Sequence, residues 1–295
     1  MNEHAERFTS LRPLLFTIAY EILGSATESD DVLQDSYLRW AEVDLDTVRD
    51  TKSYLAQLVT RQSLNALRAG ARRREDYVGP WLPEPLLLTE GDASSDVVLA
   101  ESVSMAMLVV LETLGPDERA VFVLREVFGF DYDEIAGAVG KSTAAVRQIA
   151  HRAREHVHAR RKRFEPDTAK SAEVTTQFLT AAATGDLDAL LPLLSPNVTW
   201  TADSDGKASA ARRPVIGADR VGRLVLGLMR GASTAPGARV ELAICNNAPA
   251  IVLYLDDSLE AVITIEVADG KISHFYAMRN PDKLVSVNVR RTISR

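Results

Sequence analysis

The stretch DYDEIAGAVGKSTAAVRQIAHRAREHVHARRKR, residues 131–163, governs how the rest of the chain is read. Asp131 can cap a helix, and Glu134 stands three residues later, the spacing of a capping box. Ile135, Ala136 and Val139 give this short helix an apolar face, and Gly140 is placed to end it. Ser142 offers a second N-cap. Beyond it, Val146, Ile149, Ala150, Ala153 and Val157 recur at helical spacing and predict one narrow buried stripe. Ala144, Gln148, His151 and Arg152 lie opposite the stripe, with Arg147 and Arg154 on its flanks. Between Lys141 and Arg163 there are eight Lys/Arg and a single acid, Glu155. A short helix, a glycine turn and a basic helix that begins with small and polar residues suit a helix-turn-helix in a DNA major groove. The competing reading of the pattern alone is a helical hairpin with a solvated basic face.

A chain of 295 residues has room for about two domains, each with its own core. The single cysteine, Cys245, excludes an intrachain disulfide framework and fits a reducing, cytoplasmic setting. The longest early apolar run, Leu14–Leu23, is short and contains Glu21, so neither export nor a membrane span is expected. The net charge of −7 becomes informative once divided. Residues 1–165 carry 20 Lys/Arg and 27 Asp/Glu, whereas residues 166–295 carry 14 of each. Bases gather at Arg68–Arg74 and Lys141–Arg163, while acids crowd Glu28–Asp50 and Glu84–Asp133. Phosphate attraction is screened beyond about 8–10 Å in physiological salt, so local patches matter more than the total. Two basic patches on an acidic body imply two DNA contacts and a further surface for a basic protein.

Three helices are expected before residue 75. Leu11, Leu14, Leu15, Ile18, Ala19 and Ile22 keep helical spacing up to Gly24. The run ATESDDVLQDSYLRWAEV follows, with Thr27 or Ser29 as cap and acids in the first turn, where the helix dipole favours them. By spacing alone its polar residues Asp31, Gln34, Asp35 and Arg39 form a solvated face. In the third helix, about Thr51–Arg74, Leu55, Leu58, Val59, Ala66 and Leu67 are core candidates. Arg61, Asn65, Arg68 and Arg72 follow at intervals of four, three and four and share one face. Asn reads base edges, and Arg serves both phosphates and guanine, so this stripe, continued by Arg73 and Arg74, is a candidate DNA contact.

ESDDVLQDSYLRW resembles the second-region helix by which extracytoplasmic-function (ECF) sigma factors grip core RNA polymerase. SYLAQLVTRQSLNALRAGARRRE is similar to the promoter −10 helix that follows it in that family. LETLGPDERAVFVLREVFGFDYDEIAGAVGKSTAAVRQIAHRAR resembles the fourth region, which reads the −35 element. The three stand in the family's order and cover most of residues 8–163. The resemblance implies that Asp31, Gln34, Asp35 and Leu38 dock on polymerase and that Arg61, Asn65, Arg68, Arg72, Arg73 and Arg74 engage the −10 element. It implies that Ser142, Ala144, Arg147, Gln148, His151, Arg152 and Arg154 read or clamp the −35 element.

Between the two helical regions, prolines in Trp81-Leu82-Pro83-Glu84-Pro85-Leu86 forbid a regular helix and predict an extended connector. This hexapeptide resembles the linker signature of an ECF subgroup that carries an extra C-terminal domain, and the resemblance implies that the domain touches the sigma core there. A second connector is expected at Glu165–Ala169. Val174, Phe178, Leu179 and Ala182 then suggest a helix, and GDLDALLPLLSPNVTW a second short helix before a strand. Val221, Leu224, Val225 and Leu228 suggest another helix. Strands are expected at Val240–Cys245, Ala250–Leu255, Glu260–Val267 and Lys271–Met278, with AsnAsn, AspAsp and AspGly at the turns. Helices followed by a curved antiparallel sheet make an α+β cone. Nearly all of 168–285 resembles the SnoaL-like branch of the nuclear transport factor 2-like (NTF2-like) fold.

The expected organisation is therefore two all-α sigma domains plus that cone. Residues 1–75 are region 2, 76–98 the linker, 99–164 region 4, 165–285 the SnoaL-like domain and 286–295 a C-terminal tail. Asp203, Asp205 and His274 are the only candidates for cone chemistry; no second His stands near His274, and AspSerAspGlyLys reads as a solvated turn, so no catalysis is expected. An unidentified small molecule in the cone mouth is a separate expectation. The subgroup's AspGlyGlyGlyArg loop is departed from here, with Asp205-Gly206-Lys207 its nearest remnant. Its second motif stands unchanged at Asn280-Pro281-Asp282-Lys283-Leu284, which by local chemistry is equally a strand-ending Asx turn. The resemblance implies regulation by the attached domain in place of a separate anti-sigma protein.

No cofactor or metal is expected, because His151, His156 and His158 lack supporting Cys. The partners expected are core polymerase and double-stranded promoter DNA. Two rival functions remain on sequence alone: a stand-alone, ligand-responsive helix-turn-helix regulator, and a SnoaL-like isomerase or cyclase. Removal of residues 285–295 is expected to be mild.

Overall fold

The computed structural model describes residues 3–88, 96–160 and 168–295. They form two compact units. One gathers residues up to Glu75, the segment from Thr89 to Lys162, and Arg291–Arg295; the other gathers Asp76–Leu88 with Arg163–Arg290.

The helical unit begins with α1 (Glu3–Leu23), α2 (Ala26–Trp40) and α3 (Thr51–Glu75). Gly24 closes α1 with φ 70°, a conformation that costs glycine little. The cap of α2 is Ser25, whose hydroxyl accepts from the Glu28 N–H at 3.1 Å, and not Thr27 or Ser29. Ser29 is instead fully buried and donates back to the Ser25 carbonyl. Leu15, Ile18, Ile22, Leu33, Leu55 and Trp40 fill the bundle core, each worth about 1.5–3 kcal/mol or more of apolar burial. Leu58 and Ala66, expected in the core, are half-buried.

The remaining helices of this unit are α4 (Val97–Ser102), α5 (Met105–Leu111), α6 (Pro116–Phe122), a π-turn at Val123–Val127, α7 (Tyr132–Val139) and α8 (Thr143–Arg160). Asp131 and Glu134 form the expected capping box, and Gly140 ends α7 in the left-handed conformation. Ser142 accepts from the Ala145 N–H at 3.3 Å. The buried residues of α8 are Val146, Ile149, Ala150, Ala153 and Val157, the stripe read from the sequence.

The second unit contains α9 (Thr168–Thr184), α10 (Leu187–Leu190), β1 (Leu194–Asp203), β2 (Val215–Ile216), α11 (Ala218–Thr234), β3 (Ala238–Cys245), β4 (Ala248–Leu255), β5 (Ser258–Ala268), β6 (Lys271–Met278) and α12 (Pro281–Leu284). Of the connector expected at Glu165–Ala169, residues 165–167 lie outside the described residues, and Thr168 already begins α9. Strand order is β2-β1-β6-β5-β4-β3. The sheet is not purely antiparallel, because β1 pairs with β6 in parallel. The hairpin rule that governs adjacent strands does not apply to this pair, which is joined through the whole of the intervening domain. Asn246-Asn247 and Asp269-Gly270 all have positive φ, the primed turn that matches strand twist. Phe178, Trp200, Ile265, Ile272 and Phe275 fill the space between the sheet and its helices. The parallel pairing sets Asp203, the last residue of β1, beside Met278 at the end of β6.

Candidate polymerase, promoter and linker sites

On α2, Asp31, Gln34, Asp35 and Leu38 are all exposed, while Val32, Leu33, Ser36 and Trp40 face the core. Leu38 is 59% exposed. An acidic helix face that carries an open leucine offers both charge and apolar area to a partner.

On α3, Arg61, Asn65 and Arg68 are exposed and share a face. The side chains of Arg72, Arg73 and Arg74 lie outside the described residues. Two of the stripe's arginines are engaged within the helical unit. Arg61 donates to the Gly137 carbonyl of α7 at 2.9 Å, and Arg68 pairs with Asp117 of α6 at 2.7 Å. Asp117 also takes Lys141 at 2.9 Å. Burial would raise the Asp117 pKa, but hydrogen bonds from Lys141 and Arg68, with their charges, hold it below the ordinary value. Nearby, Ser53 donates to Glu134 at 2.5 Å, and Gln57 lies so close to Gly137 that a Cβ there would meet it at 3.3 Å.

A buried polar cluster joins α1 to α4 and α6. Glu21 is fully buried and accepts from Ser102 Oγ at 2.7 Å. Arg119, 1% exposed, donates to the Glu21 carbonyl at 2.8 Å and pairs with Glu112 at 2.6 Å. Burial pushes the Glu21 carboxyl up to about 8, against smaller lowering effects from Ser102 and Arg119.

On α8, Ala144, Arg147, Gln148, His151 and Arg152 are exposed, as is Ser142 at its start, and Arg154 is half-buried. The Arg147 guanidinium lies 5.5 Å from the Tyr132 ring centroid. Arg152 and Arg154 stand 3.7 Å from Glu118 and Glu126, loose pairs that leave the face basic.

The third site lies within the second unit, where Asp76–Leu88 packs with the cone. Asp203, fully buried, was read as part of a solvated turn; it is instead the hub. One carboxylate oxygen accepts from the Tyr77 hydroxyl. The other accepts from the Leu82 N–H at 2.7 Å and from Lys283 Nζ at 2.8 Å. Lys283 also donates to the Leu82 carbonyl at 2.7 Å, and its Nζ sits 3.1 Å from the Trp81 ring centroid and 5.0 Å from that of Tyr77. A buried ammonium thus finds a carboxylate, a carbonyl and two aromatic faces. Burial, with the Asp203 carboxylate next in effect, drives the Tyr77 phenol well above its ordinary pKa.

Asn280 does not merely end a strand. Its side chain caps α12 through the Asp282 N–H and donates to Tyr77 at 2.8 Å. Asp205 accepts from the Val78 N–H at 3.2 Å; with φ 49° it and Gly206 make the turn that Lys207 pins to Asp205 and Asp282. Leu82, Pro83, Glu84, Pro85 and Leu86 are buried, and Leu86 exchanges hydrogen bonds with Asn246 at 2.8 and 2.9 Å. Of the motif residues singled out in the sequence, Leu82, Asn280 and Lys283 meet at Asp203 and Tyr77 with Trp81 beside Lys283, Asp205 and Asp282 are joined through Lys207, and Leu86 bonds the β3–β4 turn at Asn246. Tyr77, Asp203 and Asn246 were missed there. Asn246 carried only a turn signal, and the burial of Asp203 follows from a strand pairing that no local pattern announces.

Elsewhere in the cone lies a small apolar pocket, open to solvent and lined by Phe178, Trp200, Val225, Leu228, Met229 and Phe275, among others. Asp203, Asp205 and His274 do not line it. No helix among the described residues is long and apolar enough to cross a membrane.

The family pattern described as Sigma-70 region 2 matches residues 7–73, and that described as Sigma-70, region 4 matches 104–157. With both helical regions matched in that order and a near-full-length relative at 39% identity, the chain belongs to the extracytoplasmic-function sigma factors, non-enzymatic proteins that bind core RNA polymerase and promoter DNA and direct transcription initiation. Among particular members, it is 39% identical over 287 residues to ECF RNA polymerase sigma factor SigJ of Mycobacterium tuberculosis, covering 94% of this chain and 91% of SigJ. It is 31% identical over 277 residues to the probable ECF sigma factor SigI of the same species, covering 92% of each. The crystal structure of M. tuberculosis SigJ matches with a TM-score of 0.76 at 34% identity, covering 96% of this chain and 99% of that one.

Proposed function

We propose that the fused cone sets the activity of this sigma factor by gripping the connector between its two DNA-binding regions. The observation that carries the reading is the Asp203–Lys283 pair closed around Leu82 and Trp81. Regions 2 and 4 are joined through Asp76–Leu88, and that segment is fixed by the cone's own buried charges. Any state of the cone that loosens the pair lengthens the free tether between the regions.

In this reading Asp31, Gln34, Asp35 and Leu38 dock on core polymerase. Arg61, Asn65 and Arg68, continued by Arg72, Arg73 and Arg74, engage the −10 element, and Ser142, Ala144, Arg147, Gln148, His151, Arg152 and Arg154 the −35 element. The domain borders follow these roles: region 2 to residue 75, linker 76–98, region 4 to 164, regulatory cone to 285. In the resting factor Arg61 and Arg68 are held by α7 and α6, so −10 binding requires the helical unit to open. The cone stands in for a separate anti-sigma protein. Its cavity, lined by apolar side chains, suits a neutral hydrophobic ligand that would bias the grip. The factor works where polymerase is, in the cytoplasm.

The test is run-off transcription with purified core polymerase from the promoter of the factor's own gene. The full chain is compared with Lys283→Met, and limited proteolysis monitors cleavage between residues 76 and 88. The reading expects altered transcript yield together with faster cleavage. Faster cleavage with unchanged yield would exclude the connector as the control point.

A further inference from the structure

The last five residues, Arg291-Thr292-Ile293-Ser294-Arg295, cluster with the helical unit. Arg291 pairs with Asp30 of α2, and its guanidinium lies 5.2 Å from the Phe16 ring centroid of α1. Ile293 is buried, at 3% exposure. Ser294 donates its N–H to Thr17 Oγ1 of α1 at 3.2 Å. Arg295 pairs with Asp96, the N-cap of α4, and donates to the Val127 carbonyl at 3.3 Å. One arginine therefore holds the region 2 helices, the other holds the entrance and π-turn of the region 4 half, and an isoleucine is anchored between them. Chain ends that are not tied down fray and leave their side chains in water.

We propose that Arg291–Arg295 is a tethered clamp that fastens region 2 to region 4 and keeps the free sigma factor shut. The proposal rests on the reading of the closed helical unit as the resting form. Asp30, the carboxylate under Arg291, adjoins Asp31 on the helix that presents Asp35 and Leu38, so the clamp occupies the start of the polymerase-binding helix. A polymerase that takes α2 and draws the regions apart must displace it. Because the peptide is covalently attached, its effective concentration at the seam is high, and two ion pairs with one apolar anchor suffice to bias the closed state while remaining releasable. Loss of residues 291–295 is accordingly an activating change.

The experiment compares the full chain, a chain ending at Arg290, and full-length Ile293→Asp. One readout is run-off transcription at limiting sigma. The other is energy transfer between dyes on Ser10→Cys and Glu155→Cys, both exposed positions, with the native Cys245 buried. The clamp predicts about three- to tenfold more transcript and a longer dye separation in both variants, the size of a modest population shift. Either readout left unchanged in the chain ending at Arg290 overturns the clamp, and Ile293→Asp guards against an effect of shortening alone. A full chain whose dyes are already far apart would instead remove the closed resting form on which the clamp rests.

Discussion

Arg68 of α3 and Asp117 of α6 lie 2.7 Å apart, so an arginine of the stripe proposed for the −10 element is paired with a carboxylate of region 4. The same carboxylate holds Lys141 at the entry to α8. One acid thereby occupies a basic residue from each of the two patches proposed to contact DNA.

Asp117→Asn is expected to loosen the helical unit without disturbing either core. Exposed pairs contribute about 0.2–1 kcal/mol each, so the two together predict roughly a two- to thirtyfold gain in promoter-duplex binding by the free protein. Fluorescence anisotropy with and without core polymerase checks this. A gain equal in both conditions would mean that the closed state is not the target.

Acid and alkali act on different parts of this seam. The Asp117 carboxyl is depressed, so its contribution is present above the ordinary carboxylate pKa and is lost as pH falls through the depressed value. Glu21 is the opposite case. Its pKa is raised from 4.5 to about 8, so its contribution is complete below 4.5 and is lost as pH rises through the range up to about 8. Between pH 4.5 and 8 the α1–α4–α6 cluster should weaken. Hydrogen-exchange protection at Ser102 and Arg119, corrected for the intrinsic rate at each pH, should fall over that range, and Glu21→Gln should flatten the dependence. A flat profile in the unmodified chain would mean that the Glu21 carboxyl is not raised in the closed form relative to the open one.

The helix-turn-helix was legible because its signals are local. A capping box, one left-handed glycine and a stripe at helical spacing each speak within a few residues, and α7 and α8 follow them. The cone's last four strands were legible for the same reason, since Asn246-Asn247 and Asp269-Gly270 announce hairpins. The parallel β1–β6 pair was not, because no turn residue records a pairing between strands about 70 residues apart. Asp203 was misread with it: a carboxylate before Ser204 looks solvated until β6 is laid beside β1 and Lys283 is brought in. The closed seam was equally silent, since Arg61 and Arg68 read as free basic residues until α6 and α7 are set against them.

Lys283→Met should destabilise the second unit strongly. It leaves Asp203 buried without its cation, a change that costs about 3–5 kcal/mol where a buried pair is broken from one side. Lys283→Met combined with Asp203→Leu should recover part of the loss, because no orphaned charge remains. Chemical denaturation followed at Trp81 and Trp200 reads both variants. A double variant no more stable than the single one would show that the Tyr77 and Leu82 contacts of Asp203, and not its ion pair, hold the connector.

Polymerase docking is tested at Asp35→Ala and Leu38→Ser, both on the open face of α2. Neither side chain supports the core, so the melting temperature should stay within about 1–2 °C, the effect of a few tenths of a kcal/mol in a domain of this size. Holoenzyme formation should weaken, with Asp35→Ala losing affinity mainly at low salt and Leu38→Ser at all salt concentrations. Matching salt dependences in the two variants would argue against a mixed charged and apolar contact.

Arg147 and Arg152 both lie on the exposed face of α8, but they are predicted to fail in different ways. Arg147, near the start of the helix and braced against Tyr132, is placed to reach base edges. Arg152 lies more than a turn further along beside Glu118, where backbone phosphate is the simpler target. Arg147→Ala should therefore cost about 1–3 kcal/mol on the preferred −35 sequence and relax preference at one position. Arg152→Ala should weaken all sequences alike and reduce the salt slope by about one. Competition between systematically substituted −35 duplexes, repeated at several salt concentrations, separates the two. If Arg147→Ala lowers every sequence equally, α8 is not read at that position and its basic face serves only as a phosphate clamp.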